Sequence, residues 1–181
     1  MASPTTPADV IAFWREAGPD AWFTKDAAFD ARFRDAFLDD HFAAARRDLD
    51  RWTESADGML ALMILLDQFP RNCFRGTGHM YATDPLALSF ARRADTRGDD
   101  GRIDPALRVF LYLPYSHSEV LADQERAVAL NRRIGAPYLD HAVGHLDVVA
   151  RFGRFPHRNA LMGRETAEEE RAFLAEGGFA G

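Results

Sequence analysis

One cysteine, Cys73, stands among 181 residues, so no disulfide can close within the chain. A reducing compartment is the expectation. Long apolar stretches are missing as well. The longest, Met59 to Leu66, falls far short of the ~20 residues that cross a bilayer, so no membrane partner is expected. Excess positive charge is absent: 22 Lys and Arg face 28 Asp and Glu, for a net charge of −6. That balance keeps a chain soluble and argues against nonspecific nucleic-acid binding. Residues Met1 to Pro7 carry no basic segment followed by an apolar one, so no secretory leader is expected and the location is read as cytoplasmic. No stretch alternates strictly with period two, and no Asn-Gly or Asp-Gly turn separates two strand-like runs. A sheet is therefore excluded in favour of helices.

What is present is a helical pattern punctuated by caps and prolines. Hydrophobic residues make up 47% and Phe is abundant, at 14. A chain of this length is read as one domain over residues 1–181, able to bury about 70% of its unfolded surface. Thr6-Pro7, Asp84-Pro85 and Asp104-Pro105 each set a capping side chain before a proline that pre-forms the first turn. Thr24 is read as the cap of a helix whose Phe29, Phe33, Phe37 and His41 recur every four residues, a core stripe. Ser55 or Asp57 opens the apolar helix, and Phe69-Pro70 ends it. Composition alone allows Val109 to Leu113 as a strand, but the proline start favours helix. Ser116 and Glu119 have capping-box spacing, as do Thr166 and Glu169. Further helices run from Pro137 to Gly153 and through Phe173 and Leu174 to Gly177-Gly178. The expected fold is all-α, a single domain of about seven to nine helices packed as antiparallel pairs.

Polar groups gather where the apolar helix ends. Asp67, Gln68, Arg71, Asn72 and Arg75 follow Leu66, and Arg154, His157, Arg158 and Asn159 flank Pro156 near the far end of the chain. Guanidinium groups supply bidentate recognition of carboxylate or phosphate, and each neighbouring Asn adds a donor and an acceptor. Two readings stand side by side. One is an anion pocket between helix ends; the other is a set of staples in which Arg71 and Arg158 pair with Asp67, Glu119 or Glu165. Asp67, His117 and His157 are the candidates for proton transfer. Gln68 and Gln124 would orient a ligand, and Glu119 is explained by the capping box. His141 and His145 lie four apart, but no carboxylate between them completes a metalloprotease motif, so neither metal nor cofactor is expected. There is no P-loop and no nucleophile elbow. Cys73 reads as buried and inert, and Trp14, Trp22 and Trp52 serve a core or a homodimer face equally well.

These segments carry a resemblance. Leu66-Asp67-Gln68-Phe69-Pro70-Arg71-Asn72 with Phe74-Arg75-Gly76 is the first motif. Phe110 to Pro114 with His117-Ser118-Glu119 and Gln124 is the second. The third is His145 with Arg151 to Asn159 and Gly163-Arg164-Glu165. Together they resemble the signatures of the bacterial domain-of-unknown-function family 924, over about Val10 to Leu174. The resemblance implies an all-α, tetratricopeptide-like fold and no particular activity. Cys73 stands where that family usually has an aliphatic residue, and His141 lies outside its pattern. The expectation is a polar pocket for a small anionic ligand, on a monomer or homodimer. The alternative is an interaction module whose groove takes a peptide carboxylate.

Overall fold

Local capping chemistry sets several helix starts. In the computed structural model, which describes residues 4–179, Thr6 caps α1 (Pro7–Ala17), and the Asp9 carboxylate accepts from the Thr6 N–H at 2.8 Å. After the short α2 (Pro19–Trp22), α3 (Ala27–Ala45) is capped by Asp26 rather than Thr24. The Asp26 carboxylate takes the N–H groups of Ala28 and Phe29, while the Thr24 hydroxyl turns back to the carbonyl of Asp20. The stripe of Phe29, Phe33, Phe37 and His41 is buried, as are Trp14, Trp22 and Trp52, which belong to the core. Trp14 packs between Phe33 and Phe110, and the Trp22 indole N–H donates to the Trp14 carbonyl.

Ser55 caps α4 (Ala56–Met63), the apolar helix, against which α1, α6 (Asp84–Arg97) and the 3-10 turn at Asp50–Glu54 pack. Gly58 is obligatory here, because a Cβ at this position would collide with the Trp52 carbonyl. Pro70 does not end the helix, contrary to expectation. The rod widens into a π turn over Ile64–Gln68 and continues as α5 (Phe69–Cys73). The Phe69 N–H reaches back to the Ile64 carbonyl. Pro70 has no N–H to offer the next two carbonyls. Their partners come from elsewhere: His41 Nδ1 donates to Leu65 O at 2.8 Å, and the Thr83 hydroxyl donates to Leu66 O at 2.5 Å. Freed carbonyls find side chains instead of water.

Beyond the Gly98 cap of α6, Asp104-Pro105 opens a 3-10 turn (Pro105–Leu107) that leads into α7 (Val109–Ser116). The run that composition left open as a strand is therefore helix, and it passes through Pro114. Three later helices follow: α8 (Leu121–Asn131), α9 (Tyr138–Phe152) and α10 (Glu168–Ala175). The expected Ser116–Glu119 capping box does not form. Ser116 closes α7, Val120 precedes α8, and Glu119 is bonded elsewhere. At α10 the cap position moves one residue on, to Ala167, whose N–H is held by Glu170 at 2.7 Å.

With α4 and α5 counted as one rod, the described residues form nine helices and no strand. None is long and apolar enough to cross a membrane. Packing divides the chain into two compact units, Met1–Pro114 and Tyr115–Gly181. In the first, α3 and α4 carry the core. In the second, α8 packs on α9, and Val148, Val149 and Phe155 form a core joined by Phe152, Phe173 and Phe179.

Candidate functional site

In the first unit the π turn aims Asp67 and Gln68 inward, α5 presents Arg71 and Asn72, and Arg75 lies in the turn just beyond. Asp67 is buried and takes Gln68 Nε2 at 2.6 Å and Arg71 Nη1 at 3.2 Å. Arg71 grips Asp84 with both terminal nitrogens, at 2.8 and 2.9 Å, and also donates to the Asp67 carbonyl. Burial opposes its charge, yet Asp67 and Asp84 raise its pKa above the ordinary arginine value. A second node forms on Asp30 of α3, which accepts from Asn72 Nδ2 at 2.8 Å and Arg75 Nε at 2.9 Å. Burial and then the Asp30 charge push the Cys73 thiol up to about 12, so almost no thiolate exists at neutral pH.

In the second unit two carboxylates hold the segment after α9. Glu119 accepts from the Phe155 N–H at 2.8 Å and from Arg164 at 2.6 and 2.9 Å. Burial works against its charge, but these bonds and the nearby Arg158 keep its carboxyl below the usual range. Glu170 accepts from Arg154 at 2.6 and 2.8 Å and from Asn159 at 3.1 Å, and the Arg154 bonds chiefly hold it down to about 2. Gln124 is fully buried and gives its amide hydrogens to the carbonyls of Ser116 and Ser118, clamping the turn that carries His117.

Phe155, also fully buried, is the hub of a third group. His145 meets its ring edge-on with centroids 5.6 Å apart, and His157 lies at 5.7 Å. The Arg158 guanidinium sits 4.4 Å over the Phe155 ring and donates to the His117 carbonyl at 2.9 Å. The imidazoles of His117 and His145 are 6.3 Å apart. His145 Nδ1 bonds the His141 carbonyl at 2.6 Å. A carbonyl only accepts, so Nδ1 carries the proton and Nε2 keeps its lone pair. Burial, with the charges of His117 and Arg158, depresses the His145 pKa to about 4. The ring is neutral at physiological pH.

Because that value lies below the ~6.5 of an unfolded histidine, the stability contributed by neutral His145 is present above pH 6.5 and lost as pH falls toward 4. The loss through this group amounts to on the order of 3 kcal/mol. Urea unfolding at pH 7 and pH 4.5 is expected to show a smaller drop for His145→Gln than for the natural chain. Equal drops would assign the titration elsewhere, His41 being shifted down by burial in the same sense.

Of the residues the sequence points to, His157 and Arg158 meet at Phe155, and His117 joins them through its carbonyl, which accepts from Arg158, and through the His145 ring. Arg154 and Asn159 meet at Glu170, and Glu119 pairs with Arg164. Asp67, Gln68, Arg71, Asn72 and Arg75 lie in the other unit, on Asp84 and Asp30. The sequence reading passed over His145 as a metal ligand and missed its place in the cluster. The signal was there: His145 precedes Val149 by four residues and Val148 by three, which places it on the buried face of α9. Phe179, Asp30, Asp84 and Glu170 were missed as partners.

Among the described residues, nine helices, loops tied by arginine–carboxylate bonds and a histidine–arginine cluster define a helical protein that presents polar motifs at helix ends. The chain belongs to the family described as bacterial protein of unknown function (DUF924), whose sequence profile matches residues 10–178. It is 62% identical to a protein of unknown function, ATU0120, from Agrobacterium tumefaciens. That solved structure superposes with a TM-score of 0.92, over 94% of this chain and 97% of the other. No curated protein matches the chain.

Proposed function

We propose that the protein binds a small anionic molecule at the imidazole–guanidinium cluster of its second unit. The observation that carries this reading is the gathering of Arg158, His145 and His157 on Phe155, with the His117 ring 6.3 Å from that of His145. A planar guanidinium offers a fixed charge, neutral His145 offers a lone pair, and His117 and His157 are groups able to move a proton. Gln124 acts by positioning the His117 turn. The remaining motif residues serve as staples in this reading. Asp67, Gln68, Arg71, Asn72 and Arg75 tie α5 to α6 and α3, while Glu119, Arg154 and Asn159 fix the loop that holds the cluster.

The test is a thermal-shift screen of acetate, phosphate, citrate and a panel of metabolite acids on the natural chain, Arg158→Lys and His157→Gln. A bound anion raises Tm by mass action. Arg158→Lys keeps the charge but loses the planar fork, so the shift is expected to fall away in that variant. A panel in which no acid stabilises at millimolar concentration, or a shift that persists in both variants, would overturn the reading.

A further inference from the structure

Residues beyond α10 return to the cluster. Gly177, at φ 84°, takes the left-handed turn that glycine favours, and the Gly178 N–H bonds the Phe173 carbonyl. Phe179 follows directly. Its ring lies 4.5 Å from the His145 ring, 5.2 Å from His157 in an edge-on arrangement, and 6.1 Å from Phe155. Three rings therefore wall a slot that holds one phenyl group, and the chain fills that slot with a side chain hung from a two-glycine hinge.

The walls suit an aromatic ring for a physical reason. Aromatic rings attract one another in tilted and edge-on geometries at centroid separations of about 4.5–7 Å, and the neutral state of His145 removes the cost of displacing water from a charged wall. The Arg158 guanidinium lies against Phe155, the wall that slot and cation share. A ring seated in the slot with an acidic group on a short arm would therefore meet π-faces at one end and positive charge at the other.

We propose that the slot bounded by His145, Phe155 and His157 is the binding site for the ring of a small aromatic carboxylate, and that Phe179 is its displaceable internal occupant. This deepens the anion reading and rests on it. Binding requires Phe179 to swing out about its glycine hinge, so the occupant lowers the apparent affinity by the fraction of time it fills the slot. The same hinge makes release inexpensive, since glycine carries no side-chain barrier to a new turn.

The experiment uses the full chain in three forms, natural, Phe179→Ala and Phe179→Leu, titrated with phenylacetate, acetate and benzyl alcohol by calorimetry. Phenylacetate is expected to bind Phe179→Ala at least ~10-fold more tightly than the natural chain. Acetate and benzyl alcohol, which each lack one half of the ligand, are expected to bind that variant at least ~10-fold more weakly than phenylacetate. Phe179→Leu keeps an apolar cover without a ring and guards against a collapsed alanine variant. In the natural chain the imidazole Cε1–H resonances of His145 and His157 are expected to move further with phenylacetate than with acetate.

Phenylacetate no better than acetate on all three chains, with acetate binding lost in Arg158→Lys, would sink the aromatic slot and leave the anion reading standing. Benzyl alcohol equal to phenylacetate would sink the carboxylate half of this proposal, while the acid panel and Arg158→Lys decide the anion reading. Equal phenylacetate affinity in natural and Phe179 variants would overturn the displaceable occupant. No binding of phenylacetate to any chain would overturn the aromatic slot, and the anion reading falls with it only where the wider acid panel fails as well.

Discussion

Replacing Arg71 by alanine is expected to destabilise the protein by about 3–5 kcal/mol, the cost of stranding a buried charge. Asp67 is 1% exposed at its side chain and Asp84 16%, while Arg71 itself is 14% exposed, so water cannot take over the guanidinium's work. Arg71 makes a two-pronged bond to Asp84, a contact with Asp67 and a bond to the Asp67 carbonyl, and it lies 5.9 Å over the Tyr81 ring. Removal takes away the guanidinium that bridges the two carboxylates. Lysine supplies the charge but a single donor point, so Arg71→Lys is expected to recover only part of the loss. The measurement is urea unfolding of Arg71→Ala alone and in an Asp67→Asn, Asp84→Asn background. The arginine loss is expected to shrink by at least ~2 kcal/mol there, because the stranded charges are gone. A loss below ~1 kcal/mol in the natural background would place this pair among ordinary surface bridges.

The helix pattern was legible because its causes are local. Thr6-Pro7 and Ser55 announce themselves within a few residues, and each lies where the helix starts. The stripe of Phe29, Phe33 and Phe37 is buried as its spacing requires. Thr24 and the Ser116–Glu119 box fail for one common reason: a nearby or distant group competes for the same oxygen or N–H. Asp26, two residues on, outbids Thr24 because a carboxylate accepts two N–H groups at once. Glu119 is drawn to Arg164, 45 residues away, and to the Phe155 N–H. Capping-box spacing says what a side chain can reach, not what reaches it.

The candidate site was legible as segments and not as partners. Phe69 to Arg75 and Arg154 to Asn159 stand out because polar residues crowd beside a proline. Which carboxylate each arginine meets depends on tertiary packing. Asp30 lies 42 residues before Asn72, and Glu170 lies 16 after Arg154, with nothing in the local pattern to join them. His145 was readable only in part. Its spacing from His141 shows only that the two share a helix face, whereas the bond from Nδ1 to the His141 carbonyl and its burial, which keeps the ring neutral, are set by the fold.

Pro70 was the clearest case of an effect read correctly and an outcome read wrongly, and it leads to the second large expected loss. Proline removes one N–H, and the sequence reading ended the helix there. The helix survives because His41, 24 residues earlier, and Thr83, 17 residues later, take up the carbonyls of Leu65 and Leu66. His41 is fully buried, and burial lowers its pKa, so its ring is neutral. With Nδ1–H committed to Leu65, its Nε2 is an acceptor, and His79 Nε2 must donate across the 2.8 Å between them. His41→Phe keeps a ring of similar size but leaves the Leu65 carbonyl without a donor in a dry interior. The expected loss is about 2–4 kcal/mol by chemical unfolding. In a Pro70→Ala background an N–H returns at position 70, within reach of the orphaned carbonyls. The cost of His41→Phe is then expected to fall by about 1 kcal/mol, and Thr83→Val is expected to become cheaper in the same background. Strict additivity of His41→Phe and Pro70→Ala would show that the histidine stabilises the π turn by packing alone. Coupling between them would identify the buried imidazole as the group that lets a helix run through its own proline.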